Sequence, residues 1–121
     1  MKNVLVASFV VLVLFPGVLN AREDTEKKRI DFLLFSVENM KGAKFIRNGT
    51  EHDGKEAAAH LRMKLQKAGD KVQTADDFIR LCASKSFLSG KPYRIRSADG
   101  KTVNSDRYFR EKLKEYDSTG K

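Results

Sequence analysis

In 121 residues the chain holds one cysteine, two histidines, two prolines and no tryptophan. The lone Cys82 excludes an internal disulfide framework and any zinc or iron–sulfur site built on several thiolates. The length allows one domain and excludes a multidomain enzyme. There is a single long uncharged apolar run, Val4 to Phe15, which falls short of the ~20 residues that span hydrocarbon as a helix. Internal repeats and low-complexity linkers are absent. Present instead are eight Phe, three Tyr and 40% apolar residues, too many for a simply disordered chain. Lys and Arg number 24 against 16 Asp and Glu, for a net charge of +8.

The apolar run has the layout of a secretory signal peptide. Lys2 and the free amino group precede it, Pro16 and Gly17 break it, and Leu19-Asn20-Ala21 places a small residue where a signal peptidase cuts. Cleavage is expected between Ala21 and Arg22. Residues 1–21 are then the signal and 22–121 one small globular domain, exported, basic and without a membrane span. A single Cys82 suits an oxidising compartment when it is buried or paired with another molecule.

Within that domain, Ile30, Leu33, Leu34, Val37 and Met40 recur at steps of three and four. They form one stripe of a helix for which Asp24 or Thr25 is the expected cap. Phe45 and Ile46 sit in a short extended piece, Lys44 to Arg47, that ends at the turn signal Asn48-Gly49. Ala57, Ala58, Leu61, Leu65 and Ala68 line a second helix, which Gly69 stops. Thr74 with Asp77 reads as a capping box opening a third helix through Phe78, Ile79 and Cys82. Ser84 to Gly90 is a serine-bearing loop. Tyr93 to Arg96 alternates with period two, Asp99-Gly100 turns the chain, and Thr102-Val103 returns. A last helix, about 105–117, carries Phe109, Leu113 and Tyr116 on one side. The expected class is α+β, about four short helices with a two- or three-stranded sheet and no disulfide.

Three strings stand in order: Phe45-Ile46-Arg47-Asn48-Gly49, then Glu56-Ala57-Ala58 with His60-Leu61-Arg62 and Lys64-Leu65, then Ser89-Gly90-Lys91-Pro92-Tyr93. With Thr74-Ala75, Phe78-Ile79 and Ala83-Ser84 between them, residues 30–96 resemble the YfeK-like family of small bacterial envelope proteins. The resemblance implies a periplasmic protein of unestablished function and supplies no activity.

Chemistry-bearing residues are few. Glu56 lies one helical turn before His60, where its carboxylate can orient the imidazole as a general base requires. That pair is the basis of the alternative reading, a small hydrolase. His52, Asp53 and His60 lack a marked fourth ligand, so neither metal nor cofactor is expected. Ser84, Ser86 and Ser89 lack a nucleophile-elbow signature, and Gly90-Lys91 and Gly100-Lys101 both fail the phosphate-loop pattern. Asn48-Gly49-Thr50 is read as a turn rather than a glycosylation site.

The cations offer more. Arg47, Arg62, Lys64, Lys91, Arg94 and Arg96 fall in or beside the three strings. If the strings converge, Arg47, Asn48, His60, Arg62, Ser89, Lys91 and Tyr93 would ring a shallow polar site suited to carboxylate or phosphate. Nucleic acid fits the charge but not the compartment. The expected function is therefore non-enzymatic binding of an anionic envelope component or an envelope protein.

Overall fold

The computed structural model describes residues 23–119; the signal-peptide reading of residues 1–21 lies outside them. Helix α1 (23–38) buries Ile30, Leu33, Leu34 and Val37, the stripe set by their spacing. Among the described residues it is helical from residue 23, which puts Asp24 and Thr25 within the helix rather than before it. The chain then forms a hairpin of β1 (Lys44–Arg47) and β2 (Thr50–His52). Asn48 and Gly49 adopt φ of 50° and 79°, the two successive positive values that a tight hairpin turn needs.

Helix α2 (Gly54–Ala68) opens on a capping box between Asp53 and Glu56 and buries Ala57, Ala58 and Leu61. Gly54 has no room for a side chain, since a Cβ would meet the Val37 carbonyl oxygen at 2.3 Å. A 3₁₀ turn, Gly69–Lys71, leads to α3 (Ala75–Cys82), which carries the Thr74–Asp77 capping box. After a loop come β3 (Arg94–Arg96), β4 (Thr102–Asn104) and α4 (Ser105–Thr119).

The sheet is antiparallel throughout, in the order β2-β1-β3-β4, with Phe45 opposite Ile95 and Ile95 opposite Val103. Phe45, Tyr93 and Ile95 turn to the helices and are buried, while Arg94 faces solvent. The core closes on Phe78 and Phe109, whose rings meet edge to face at 6.2 Å. Arg29 of α1 grips Asp117 of α4 through two hydrogen bonds of 2.9 and 3.1 Å.

The fold is α+β with four helices and no disulfide, as expected, but four strands replace the expected two or three. The additional strand is β2. Thr50-Glu51-His52 has no apolar alternation to announce it, and it is held by backbone pairing to the edge of β1. Among the described residues no helix is long and apolar enough to cross a membrane.

Candidate functional site

The turn after β1, the second half of α2 and the loop between α3 and β3 converge. On α2, His60, Met63, Lys64 and Lys67 recur at helical spacing and so share one side. The loop folds into a closed tip. Tyr93 N–H donates to the Ser84 carbonyl at 2.9 Å, Ser86 N–H to that of Lys91 at 3.0 Å, and Gly90 N–H to that of Ser86 at 2.9 Å. Gly90 has a φ of 72°, which a side chain would strain. The β1–β2 turn clasps this tip. The Asn48 amide donates to Ser86 Oγ at 3.3 Å, and its carbonyl oxygen accepts from Ser89 Oγ.

Between these pieces lies a cleft of about 220 Å³. Its floor is the Tyr93 hydroxyl, where two groups of α2 meet. Lys64 Nζ donates to it at 2.9 Å, and His60 Nε2 lies 3.3 Å away. The hydroxyl accepts from the ammonium, and the direction of its contact with Nε2 is set by the imidazole tautomer. Lys64 Nζ also donates to the Lys85 carbonyl at 3.0 Å and lies 5.1 Å from the centroid of the Phe87 ring.

The electrostatics are one-sided. Arg47, Lys64 and Lys67 line the cleft, no acidic residue does, and among the described residues no carboxylate pairs with any of the three. The imidazole registers this field. Burial first, then the positive charges of Arg47, Lys64, His52 and Lys67, push the His60 pKa down to about 4. Burial likewise lowers that of Lys64 and raises that of Tyr93.

Of the expected site residues, Arg47, Asn48, His60 and Tyr93 line this cleft, and Ser89 is bonded to it through Asn48. Tyr93 is a buried core ring of which the hydroxyl forms the floor. Lys91 lies across Asn48, beside Pro92 and Arg94 in an adjoining depression. Arg62 points elsewhere and pairs with Glu38 at 2.8 Å. Arg96 pairs with Glu51.

Glu56 does not orient His60. Its carboxylate accepts from the Asp53 N–H at 3.2 Å and lies 3.8 Å from His52 Nδ1, because capping the first turn of α2 draws it to the end of the helix. Ser84 donates to the Ile79 carbonyl at 2.6 Å, and Cys82 is buried with its thiol pKa raised by that burial. None of Ser84, Cys82, Glu56 and His60 forms a nucleophile–base pair among the described residues. Among the described residues no group of three or more His, Cys, Asp or Glu is placed to hold a metal ion.

Lys64, one of the cations expected around the site, lies in the cleft, together with Met63, Lys67, Phe87 and Leu88, which were not among the expected site residues. The spacing of Lys64 and Lys67 from His60 was a usable signal. The projection of Phe87 and Leu88, which are 84% and 98% exposed, depends on the folding of the tip. A wider groove of about 500 Å³ runs along α4, but its lining mixes Asp106, Glu111 and Asp117 with Arg107, Arg110 and Lys114. Those charges largely satisfy one another or neighbouring helices.

Comparison with known proteins places residues 24–117 in a family described as "Family of unknown function (DUF5329)". The chain is 37% identical over 93 residues to "Uncharacterized protein YfeK" of Salmonella typhimurium strain LT2, a match spanning 77% of each chain. No solved structure matches.

Proposed function

We propose that this chain, which belongs to the DUF5329 family, is an exported periplasmic protein that binds an anionic group in the cleft between α2, the β1–β2 turn and the loop tip. The observation that carries this reading is Lys64. Its ammonium is largely removed from water, bonded only to a neutral hydroxyl and a carbonyl, and flanked by Arg47 and Lys67. Burying a charge is costly unless it is paired, and an incoming phosphate or carboxylate supplies the missing partner. Arg47 offers two parallel donors to such a group and Lys64 a point charge. The export half of the reading rests on Lys2, the run Val4 to Phe15 and Ala21.

Calorimetric titration with inorganic phosphate at low ionic strength tests the binding half. Saturable binding that weakens steeply with added salt, and disappears in Lys64→Met and Arg47→Gln proteins, is the expected result. Binding that ignores salt, or survives both substitutions, would overturn it.

A further inference from the structure

The cleft has an apolar rim that anion binding alone does not require. Phe87 and Leu88 stand at the loop tip almost fully in water, and Met63 of α2 is 44% exposed beside them. Exposed single apolar residues are ordinary, but three large ones around one basic cleft are not. The tip is also built to hold them outward. Backbone hydrogen bonds of Ser86, Gly90 and Tyr93 close its base, and the Ser86, Ser89 and Asn48 side chains lock it to the β1–β2 turn.

Charge complements this rim. No Asp or Glu occurs from residue 57 to 69 or from 78 to 98, the stretches that supply the second half of α2 and the whole loop. The same stretches carry Lys64, Lys67, Lys85 and Lys91, and Arg47 faces them from β1. An apolar tip set among unpaired cations matches the interface of an anionic bilayer, where acyl chains lie just beneath a layer of phosphates.

We propose that the cleft takes the phosphate of an anionic membrane lipid while Phe87 and Leu88 enter the bilayer interface, so that the protein docks on a lipid surface. This rests on the anion-binding reading above and names the source of the anion.

The test uses residues 22–121, which contain every described element of the fold, so that the apolar run at the N-terminus takes no part. Co-sedimentation with vesicles of phosphatidylglycerol mixed with phosphatidylcholine should capture the protein, and vesicles of phosphatidylcholine alone should not. A Phe87→Ser/Leu88→Ser double variant, altered only at exposed positions, should bind the anionic vesicles roughly a hundredfold more weakly, a larger factor than any loss in its binding of inorganic phosphate. Because the chain has no tryptophan, Leu88→Trp places one fluorophore at the tip, and its emission should shift to the blue on anionic vesicles only.

Binding of phosphate without binding of vesicles would overturn docking and leave the anion site standing. Loss of both would remove both readings. Vesicle binding that the double serine variant retains would show charge attraction without insertion and overturn the role of the tip. Absence of vesicle binding together with capture of one envelope protein by a photo-crosslinker at residue 88 would assign the rim to a protein partner instead.

Discussion

Replacing Lys64 with methionine separates a lysine kept for function from one kept for structure. The wild-type ammonium makes two hydrogen bonds, at 2.9 and 3.0 Å, and bonds of this charged kind contribute about 1.5–3 kcal/mol each. Against them stands the cost of holding an ammonium out of water without a counter-charge, several kcal/mol per ion even after relaxation, of the order of ~3–5 kcal/mol. Methionine keeps the stem that packs by Tyr93 and removes the charge. The Tyr93 hydroxyl retains His60, and the Lys85 carbonyl belongs to an exposed residue within reach of water.

Two such bonds sum to roughly 3–6 kcal/mol against that cost, so the contributions nearly cancel at their midpoints and Lys64→Met should keep stability within about 2 kcal/mol of wild type. Tyr93→Phe, by contrast, keeps the ring but leaves the buried ammonium with one partner, and should cost about 1–3 kcal/mol. Thermal unfolding resolves these, since 1 kcal/mol moves the midpoint of a domain this size by about 4–8 °C. The methionine variant should melt near wild type and fail to bind phosphate. A loss above about 2 kcal/mol would refute the reasoning, because the lysine would then be a structural clamp.

Three further outcomes follow from the fold. His60 has a folded pKa of about 4 against an ordinary 6.5, so its contribution to stability is complete above 6.5 and is lost as pH falls toward 4; denaturant unfolding across that window should show a decline that His60→Gln flattens, and an equal decline in the variant would contradict the assignment. Phe78→Ala removes a fully buried ring set edge-on against Phe109 and should cost about 3–5 kcal/mol; a melting point within a degree or two of wild type would take Phe78 out of the core. Gly54→Ala should destabilise by about 2–3 kcal/mol, since the new methyl would overlap backbone oxygens of Val37 and Glu38 that cannot move aside freely; a neutral result would mean that α1 and α2 approach less closely.

Much of the architecture was legible because its signals are local. The Thr74–Asp77 capping box, the Asn48-Gly49 turn and the steps of three and four in α1 each span a few residues and answer to backbone chemistry alone. The strand β2 escaped because an edge strand held by main-chain pairing needs no apolar pattern. Glu56 was misassigned for an instructive reason: helical spacing allowed it to reach either His60 or the free N–H of Asp53, and a helix start supplies the stronger demand. The burial of Lys64 was not legible at all. It arises from contacts with Lys85 and Tyr93, 21 and 29 residues away in sequence, which the helical spacing of Lys64 from His60 does not announce. The outward set of Phe87 and Leu88 has the same origin, a tip closed by hydrogen bonds to Asn48 from a distant turn.

The most direct measurement is the His60 ring titration by NMR, with and without inorganic phosphate at low salt. In the free protein the ring should titrate near 4, and a phosphate bound beside Arg47 and Lys64 should raise that value, with the Arg47, Asn48 and Lys64 amides shifting in step. A ring that titrates at its ordinary 6.5 and does not respond to phosphate would contradict an anion site in this cleft.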